Sequence, residues 1–163
     1  MIQTLKKIRC RMLVALTHHI ALPALQRLRK STPFPYSLQH LKALPAGSLG
    51  NDLYAFIESR GLQLLTHYAR HDMKHIVLGY DTTEEGELCL QSFMLGNGRV
   101  SVPVLATVAF GICTAPELWR KMRMAYKMGS QCMPLHHWDW NALLPQQTYH
   151  IRQSINCQAT TLY

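Results

Sequence analysis

The chain has 163 residues, enough for one domain with a sizeable core, and a composition of 48% apolar and 16% charged residues excludes a disordered chain. Its formal charge of +8 is lopsided: no Asp or Glu precedes Asp52, whereas Lys6, Lys7, Arg9, Arg11, Arg27, Arg29, Lys30 and Lys42 all do. The five cysteines (Cys10, Cys89, Cys113, Cys132 and Cys157) are scattered, odd in number and without a CxxC pair, which argues against a disulfide framework and fits a reducing compartment.

Residues 3 to 29 read as an amphipathic helix bent near Pro23. Leu5, Ile8, Met12, Leu16 and Ile20 follow helical spacing, and Lys6, Lys7, Arg9 and Arg11 take other faces. Such a segment is either the solvated face of a packed helix or a contact for an anionic membrane surface. It lacks interleaved aromatics and any reading motif, so no nucleic-acid partner is expected. A mitochondrial transit peptide would also be basic and acid-poor, but Ser is almost absent from this segment. Residues 31 to 50 carry Pro33, Pro35, Pro45, Gly47 and Gly50 and read as a linker or ordered loop. The chain thus divides into a basic N-terminal helix (1–30), a Pro/Gly-rich connection (31–50) and a helical core (51–163), forming one globular domain overall.

In the core, Asn51 is a candidate N-cap for a helix to about Arg60, ended by Gly61. A second helix spans 62 to 79 and places His67, His71 and His75 in one stripe, with Gly79 as its C′ residue. The run Thr82-Thr83-Glu84-Glu85 fits a capping box and opens a helix from about 83 to 95. That helix packs Leu88, Leu90, Phe93 and Met94 and stops at Gly96-Asn97-Gly98. Residues 100 to 113 are rich in Val and Thr, and strand or helix both fit. They number about fourteen, short of the roughly twenty needed to span a bilayer. Thr114-Ala115-Pro116-Glu117 reads as another capping box, opening a helix to about Met128 that Gly129 would end. Arg120, Lys121, Arg123 and Lys127 make this helix basic, a solvated face or a second patch for a membrane or acidic substrate. In His136-His137-Trp138-Asp139-Trp140 the adjacent histidines should point apart, so the tryptophans are read instead as an interface with lipid or a partner.

The chemistry concentrates in residues 71 to 87. His71 and His75 share a helical face, Asp72 lies beside it, and a short connection makes the next helix an antiparallel neighbour. At about 1.5 Å per residue, His75 and Glu87 lie at similar heights from the turn. His71, Asp72, His75 and Glu87 are therefore candidate ligands for a divalent metal and candidate catalytic residues. The pattern differs from HExxH, in which a Glu follows the first His as general base. Glu84 and Glu85 sit nearer the turn, where a helix N-terminus favours them. Gln91 lies one turn beyond Glu87 and could orient a ligand, although an exposed glutamine is the commoner outcome. Cys89 reads as a buried structural thiol. A metal-dependent hydrolase, with Glu84 or Glu85 as base, would also fit the residues.

His-Asp-x-x-His followed by eleven residues and Glu resembles the signature of the coenzyme Q biosynthesis protein 4 family. The resemblance extends from about residue 45 to about 156, through Gly47-Ser48-Leu49-Gly50, Tyr54, Phe56, Ala125-Tyr126-Lys127-Met128-Gly129, Pro134-Leu135, Trp138 and Ile151-Arg152. The chain is a short member of the pattern and has Leu78 where the family commonly has Thr. The resemblance implies an all-α, single-domain helical bundle, with residues 100 to 113 as a buried helix. It also implies a divalent ion at the four residues: zinc by resemblance, with iron, manganese or magnesium as alternatives. The implied function belongs to quinone biosynthesis. It is oxidative decarboxylation of a prenylated hydroxybenzoate-type precursor, the C1 carboxyl giving way to hydroxyl, together with organisation of the biosynthetic proteins. A non-catalytic prenyl-lipid-binding scaffold with a structural metal is the alternative. The implied setting is peripheral on a membrane, on the cytoplasmic face in a bacterium or the matrix side of the mitochondrial inner membrane. The implied assembly is a homo-oligomer, working beside other quinone-biosynthesis proteins.

Overall fold

The computed structural model describes residues 34–155, and the amphipathic helix expected at 3 to 29 lies outside them. The described residues hold seven α-helices and no strand, as expected of an all-α domain. These are α1 (Leu38–Lys42), α2 (Leu49–Glu58), α3 (Ala69–Leu78), α4 (Glu84–Gly96), α5 (Val102–Thr114), α6 (Trp119–Gln131) and α7 (Thr148–Ser154). Two 3₁₀ turns, Pro116–Leu118 and Leu135–His137, join them.

Several boundaries differ from the sequence reading, each for a local reason. The Pro/Gly-rich connection contains α1, capped by the Ser37 side chain on the His40 amide. Ser48, not Asn51, caps α2, and its hydroxyl accepts from the Asn51 amide. The helix expected from residue 62 begins only at Ala69. Before it, the chain turns: the Leu65 carbonyl accepts from both Tyr68 and Ala69, and the Thr66 carbonyl accepts from the distant Phe34 amide. His67 consequently lies before α3 and outside the His71–His75 stripe. At α4 the cap is Thr83, whose hydroxyl accepts from Gly86. A Cβ on Gly86 would lie 2.2 Å from the Asp81 carbonyl oxygen, so the turn admits only glycine there, and no capping glutamate closes the box. Thr114 ends α5 and bonds back to the Phe110 carbonyl rather than capping α6.

Helix α4 is the axis of the domain and packs chiefly on α6. The two backbones approach through paired glycines. A Cβ on Gly96 would lie 2.0 Å from the Tyr126 carbonyl oxygen, and one on Gly129 would lie 2.1 Å from that of Phe93. Gly129 therefore does not stop α6 but lies inside it, as the contact surface. Asn97, the C-cap of α4, fastens this crossing: its side-chain amide donates to Gly129 O at 3.0 Å and Met133 O at 3.0 Å, and its Oδ1 accepts from the Leu135 amide at 2.8 Å. Around the axis, Leu41, Leu49, Leu53, Met73, Leu90, Phe93 and Ile151 are fully or almost fully buried in one core. Trp140 joins that core rather than facing a partner, and the Lys74 ammonium stands 5.8 Å from its ring centroid. His136 and His137 do not point apart; their rings lie 3.9 Å apart in the exposed 3₁₀ turn. Cys89 is buried as expected, whereas Cys132 is disulfide-bonded, against the expectation of no disulfide.

Helix α5 departs most from expectation. It is apolar all round, yet only Val104, Thr107 and Gly111 are buried. No single described helix is long and apolar enough to cross a membrane; α5 and the segment Pro116–Gln131 reach the required length only as a pair bent by 109°.

Gly129→Ala should lower stability by about 1–3 kcal/mol, the usual cost of overpacking, because backbone rather than a flexible side chain meets the new methyl. Urea denaturation checks this. A midpoint equal to wild type would show that the crossing relaxes freely.

Candidate metal centre

The site is built by the turn between α3 and α4. Gly79 ends α3 with φ 73°, a left-handed conformation that glycine adopts without strain, and its amide bonds the His75 carbonyl. The chain then reverses, and α4 brings Glu87 back opposite His75, as the helical-hairpin reading requires. His71 Nε2, His75 Nε2 and Glu87 Oε2 form a small triangle. Its sides are 3.0 Å (His71–His75), 3.1 Å (His75–Glu87) and 3.2 Å (His71–Glu87).

The orientation of each group is fixed from behind. His75 Nδ1 lies 3.1 Å from the Tyr80 carbonyl, which can only accept, so Nδ1 carries the proton and Nε2 presents a lone pair inward. Gln91 Nε2 donates to Glu87 Oε1 at 2.8 Å, leaving Oε2 for the triangle. Gln91 is thus buried and orients a candidate ligand, rather than being the exposed glutamine expected. The Phe56 ring stacks on His75 at 6.4 Å, and the Arg60 guanidinium lies 3.9 Å from the Phe56 centroid. Tyr68 meets His71 edge-on at 6.2 Å.

Asp72 stands apart from the triangle. The ligand atoms of His71, His75 and Glu87 lie within 4.8 Å of one another, and Asp72 is not in that group. It is half-buried close by: burial raises its carboxyl pKa, while the charges of His71, His75 and Arg60 pull it down and that of Glu87 pushes it up, for a net rise. Glu85 pairs with Lys121 on α6 at 2.5 Å. Phe56, Tyr68 and the Tyr80 carbonyl did not emerge as site groups from the sequence. Tyr68 is three residues before His71, a spacing that could have flagged it, but Phe56 is on a separate helix with no sequence signal.

The donor set suits a divalent transition metal. Bonds of about 2.0–2.1 Å imply ligand atoms roughly 2.8–3.0 Å apart at octahedral angles and roughly 3.3–3.4 Å apart at tetrahedral ones, and the three sides of the triangle, 3.0, 3.1 and 3.2 Å, fall between these limits. Three inward acceptors repel one another unless a proton or a cation lies between them. In the metal-free protein the surroundings of His75 favour a proton there. Burial opposes charge on His75, but the hydrogen bond and charge of Glu87, the Tyr80 carbonyl and Asp72 outweigh it, and its pKa is raised. Burial likewise opposes charge on Glu87, but hydrogen bonds from His71 and His75 and their charges overcome it and hold its pKa far below the ordinary value. The side chains of His71 and Glu87 are 29% and 20% exposed and that of His75 only 2%, so the site opens to solvent on the His71 side.

Comparison with known proteins agrees with this architecture. The profile of the coenzyme Q (ubiquinone) biosynthesis protein Coq4 family matches residues 64–160, more than half the chain. The chain belongs to the Coq4 family. Its role therefore lies in ubiquinone biosynthesis. A crystal structure from Nostoc punctiforme, of a protein provisionally named for ubiquinone biosynthesis, superposes with a TM-score of 0.63 at 24% identity. The match covers 95% of this chain and 82% of that one, and it supports the fold. No curated protein matches the chain in sequence.

The shifts on His75 and Glu87 set a pH dependence for this Coq4 member. A raised His75 pKa stabilises the metal-free fold below the unfolded value, and this contribution is lost as pH rises through the folded one. A lowered Glu87 pKa stabilises it above the unfolded value and is lost as pH falls. Metal needs the imidazole neutral. The difference in Tm between zinc-loaded and metal-free protein should therefore widen from about pH 5.5 to about 7.5. A difference independent of pH would show that the histidines are not ligands.

Proposed function

We propose that this protein carries out the metal-dependent oxidative decarboxylation of a prenylated hydroxybenzoate-type precursor. The single observation that supports this is the open triangle of two imidazoles and one carboxylate. Structural metal sites are closed by four protein ligands, whereas three ligands on a solvent-open face leave a position for substrate. His71, His75 and Glu87 hold the ion, Gln91 and the Tyr80 carbonyl aim them, and Asp72 supplies further negative charge beside them. The ion, when bound, supplies Lewis acidity toward a substrate oxygen. Iron or manganese suits oxygen chemistry better than redox-inert zinc. Replacing an aromatic carboxyl by hydroxyl releases carbon dioxide and consumes an oxygen donor; with dioxygen, the second oxygen atom leaves as water and two electrons are needed from a reductant.

Metal analysis with circular dichroism tests the site. Wild type should hold close to one ion per chain, and His75→Ala and Glu87→Ala should lose it while staying helical. With metal, wild type should convert a 3-prenyl-4-hydroxybenzoate to the hydroquinone with release of carbon dioxide, and both variants should be inactive. Loaded wild-type protein that shows no turnover, with variants that fail to assemble with other quinone-biosynthesis proteins, would favour the non-catalytic prenyl-lipid scaffold instead.

The same reading includes a peripheral place on an anionic membrane. Val102, Leu105, Ala109 and Ile112 follow helical spacing along the exposed side of α5. The indole of Trp119, itself exposed, donates to the Ile112 carbonyl at 2.9 Å, extending this stripe onto α6. Arg120, Arg123 and Lys127 are exposed on α6. An apolar stripe with adjoining cations suits the interface of an anionic bilayer, where each cation contributes about 1 kcal/mol. Wild type should float with vesicles containing phosphatidylglycerol and much less with neutral ones, and Leu105→Asp with Ile112→Asp should abolish flotation. Unchanged flotation would remove α5 from the membrane contact.

A further inference from the structure

We propose that the Tyr68 hydroxyl is a specificity-determining donor, aimed at an anionic oxygen of the aromatic acid that binds at the His71–His75–Glu87 triangle. This rests on the reading of the triangle as a substrate-binding metal centre. Tyr68 is the N-cap residue of α3 and immediately precedes its first turn, and its ring meets the His71 ring edge-on at 6.2 Å. Its Oη is buried and has no hydrogen-bond partner among the described residues.

Such a hydroxyl is anomalous in a packed domain. Nearly all buried polar atoms are paired, and leaving one unpaired forfeits its hydration with nothing in return. A phenylalanine would fill the same space without that cost. Of the two carboxylates whose charge reaches Tyr68, Glu87 is already engaged, with Oε1 accepting from Gln91 and Oε2 in the triangle, and Asp72 makes no hydrogen bond to the hydroxyl. An oxygen brought in by a ligand at the triangle supplies the missing acceptor. Carboxylate and phenolate oxygens are both strong acceptors, and both occur on a hydroxybenzoate. The rings of Tyr68 and His71 stand at the open side of the triangle, where the aromatic portion of such a ligand would lie.

Tyr68→Phe tests the assignment without altering a proposed metal ligand. Metal content should equal wild type, and Tm without ligand should be equal or higher, because an unsatisfied group has been removed. Binding of 3-prenyl-4-hydroxybenzoate to the metal-loaded protein, followed by calorimetry, should weaken about ten- to a hundredfold, the loss of one hydrogen bond to a charged group. The methyl ester and the 4-methoxy analogue identify the oxygen: the penalty should vanish for the analogue whose masked oxygen Tyr68 meets. Equal affinities of wild type and Tyr68→Phe for the acid would overturn the proposal while leaving the metal centre intact. A lowered Tm in the ligand-free variant would also overturn it, by showing that the hydroxyl is used within the fold. If metal-loaded wild type binds none of the probes, the substrate-binding reading of the centre fails together with the proposal.

Discussion

Three lone pairs cannot point at one place without a positive charge between them, and much of this domain is arranged to make His71, His75 and Glu87 do so. Their repulsion is resolved by a proton or by a metal ion, and the two compete, which is why metal affinity and pH are coupled. Holding the acceptors together requires a tight reversal between α3 and α4. Gly79 supplies the left-handed step, and Gly86 lets α4 start against the backbone of Asp81. The same reversal delivers the Tyr80 carbonyl to His75 Nδ1, so the turn both positions the imidazole and selects its tautomer. The far end of α4 is held by the Gly96–Gly129 crossing and the Asn97 clamp. The helix that carries Glu87 is thus fixed at both ends, and Gln91 holds the carboxylate between them.

The parts of this arrangement visible in the sequence are those governed by local spacing. His71 and His75 share a face because four residues make about one turn, and Glu87 meets them because a short hairpin forces it to the same height. Gly79 was legible as a helix stop because left-handed geometry is a local preference. Long-range contacts were not legible. Helix α3 starts only at Ala69, in a region where Thr66 bonds the distant Phe34 amide, and nothing near residue 66 announces that contact. Gly129 looks like a stop by its type, yet it is a contact made necessary by α4, so its meaning lies in another helix. Asp72 adjoins His71 in the sequence and so reads as a ligand, but neighbours on a helix project about 100° apart, and the triangle closes without it.

How the centre is embedded bears on whether a metal there would be catalytic or structural. Helix α3 packs chiefly on α2, and α4 chiefly on α6, so the triangle spans the joint between two better-packed pairs. An ion bridging that joint would stabilise the fold by mass action in either role, and a rise in Tm alone does not tell the two apart. Two features do. The core on either side is continuous and apolar: Met73 and Leu90, on the two ligand-bearing helices, are fully buried, so the joint is closed by apolar packing as well as by the triangle. Loss of the ion should therefore leave a folded protein, unlike small domains whose metal stands in for a core. The triangle is also one-sided, closed behind His75 by Phe56 and open at His71. A purely structural ion gains nothing from an open side, whereas a centre that must admit and release an aromatic acid requires one.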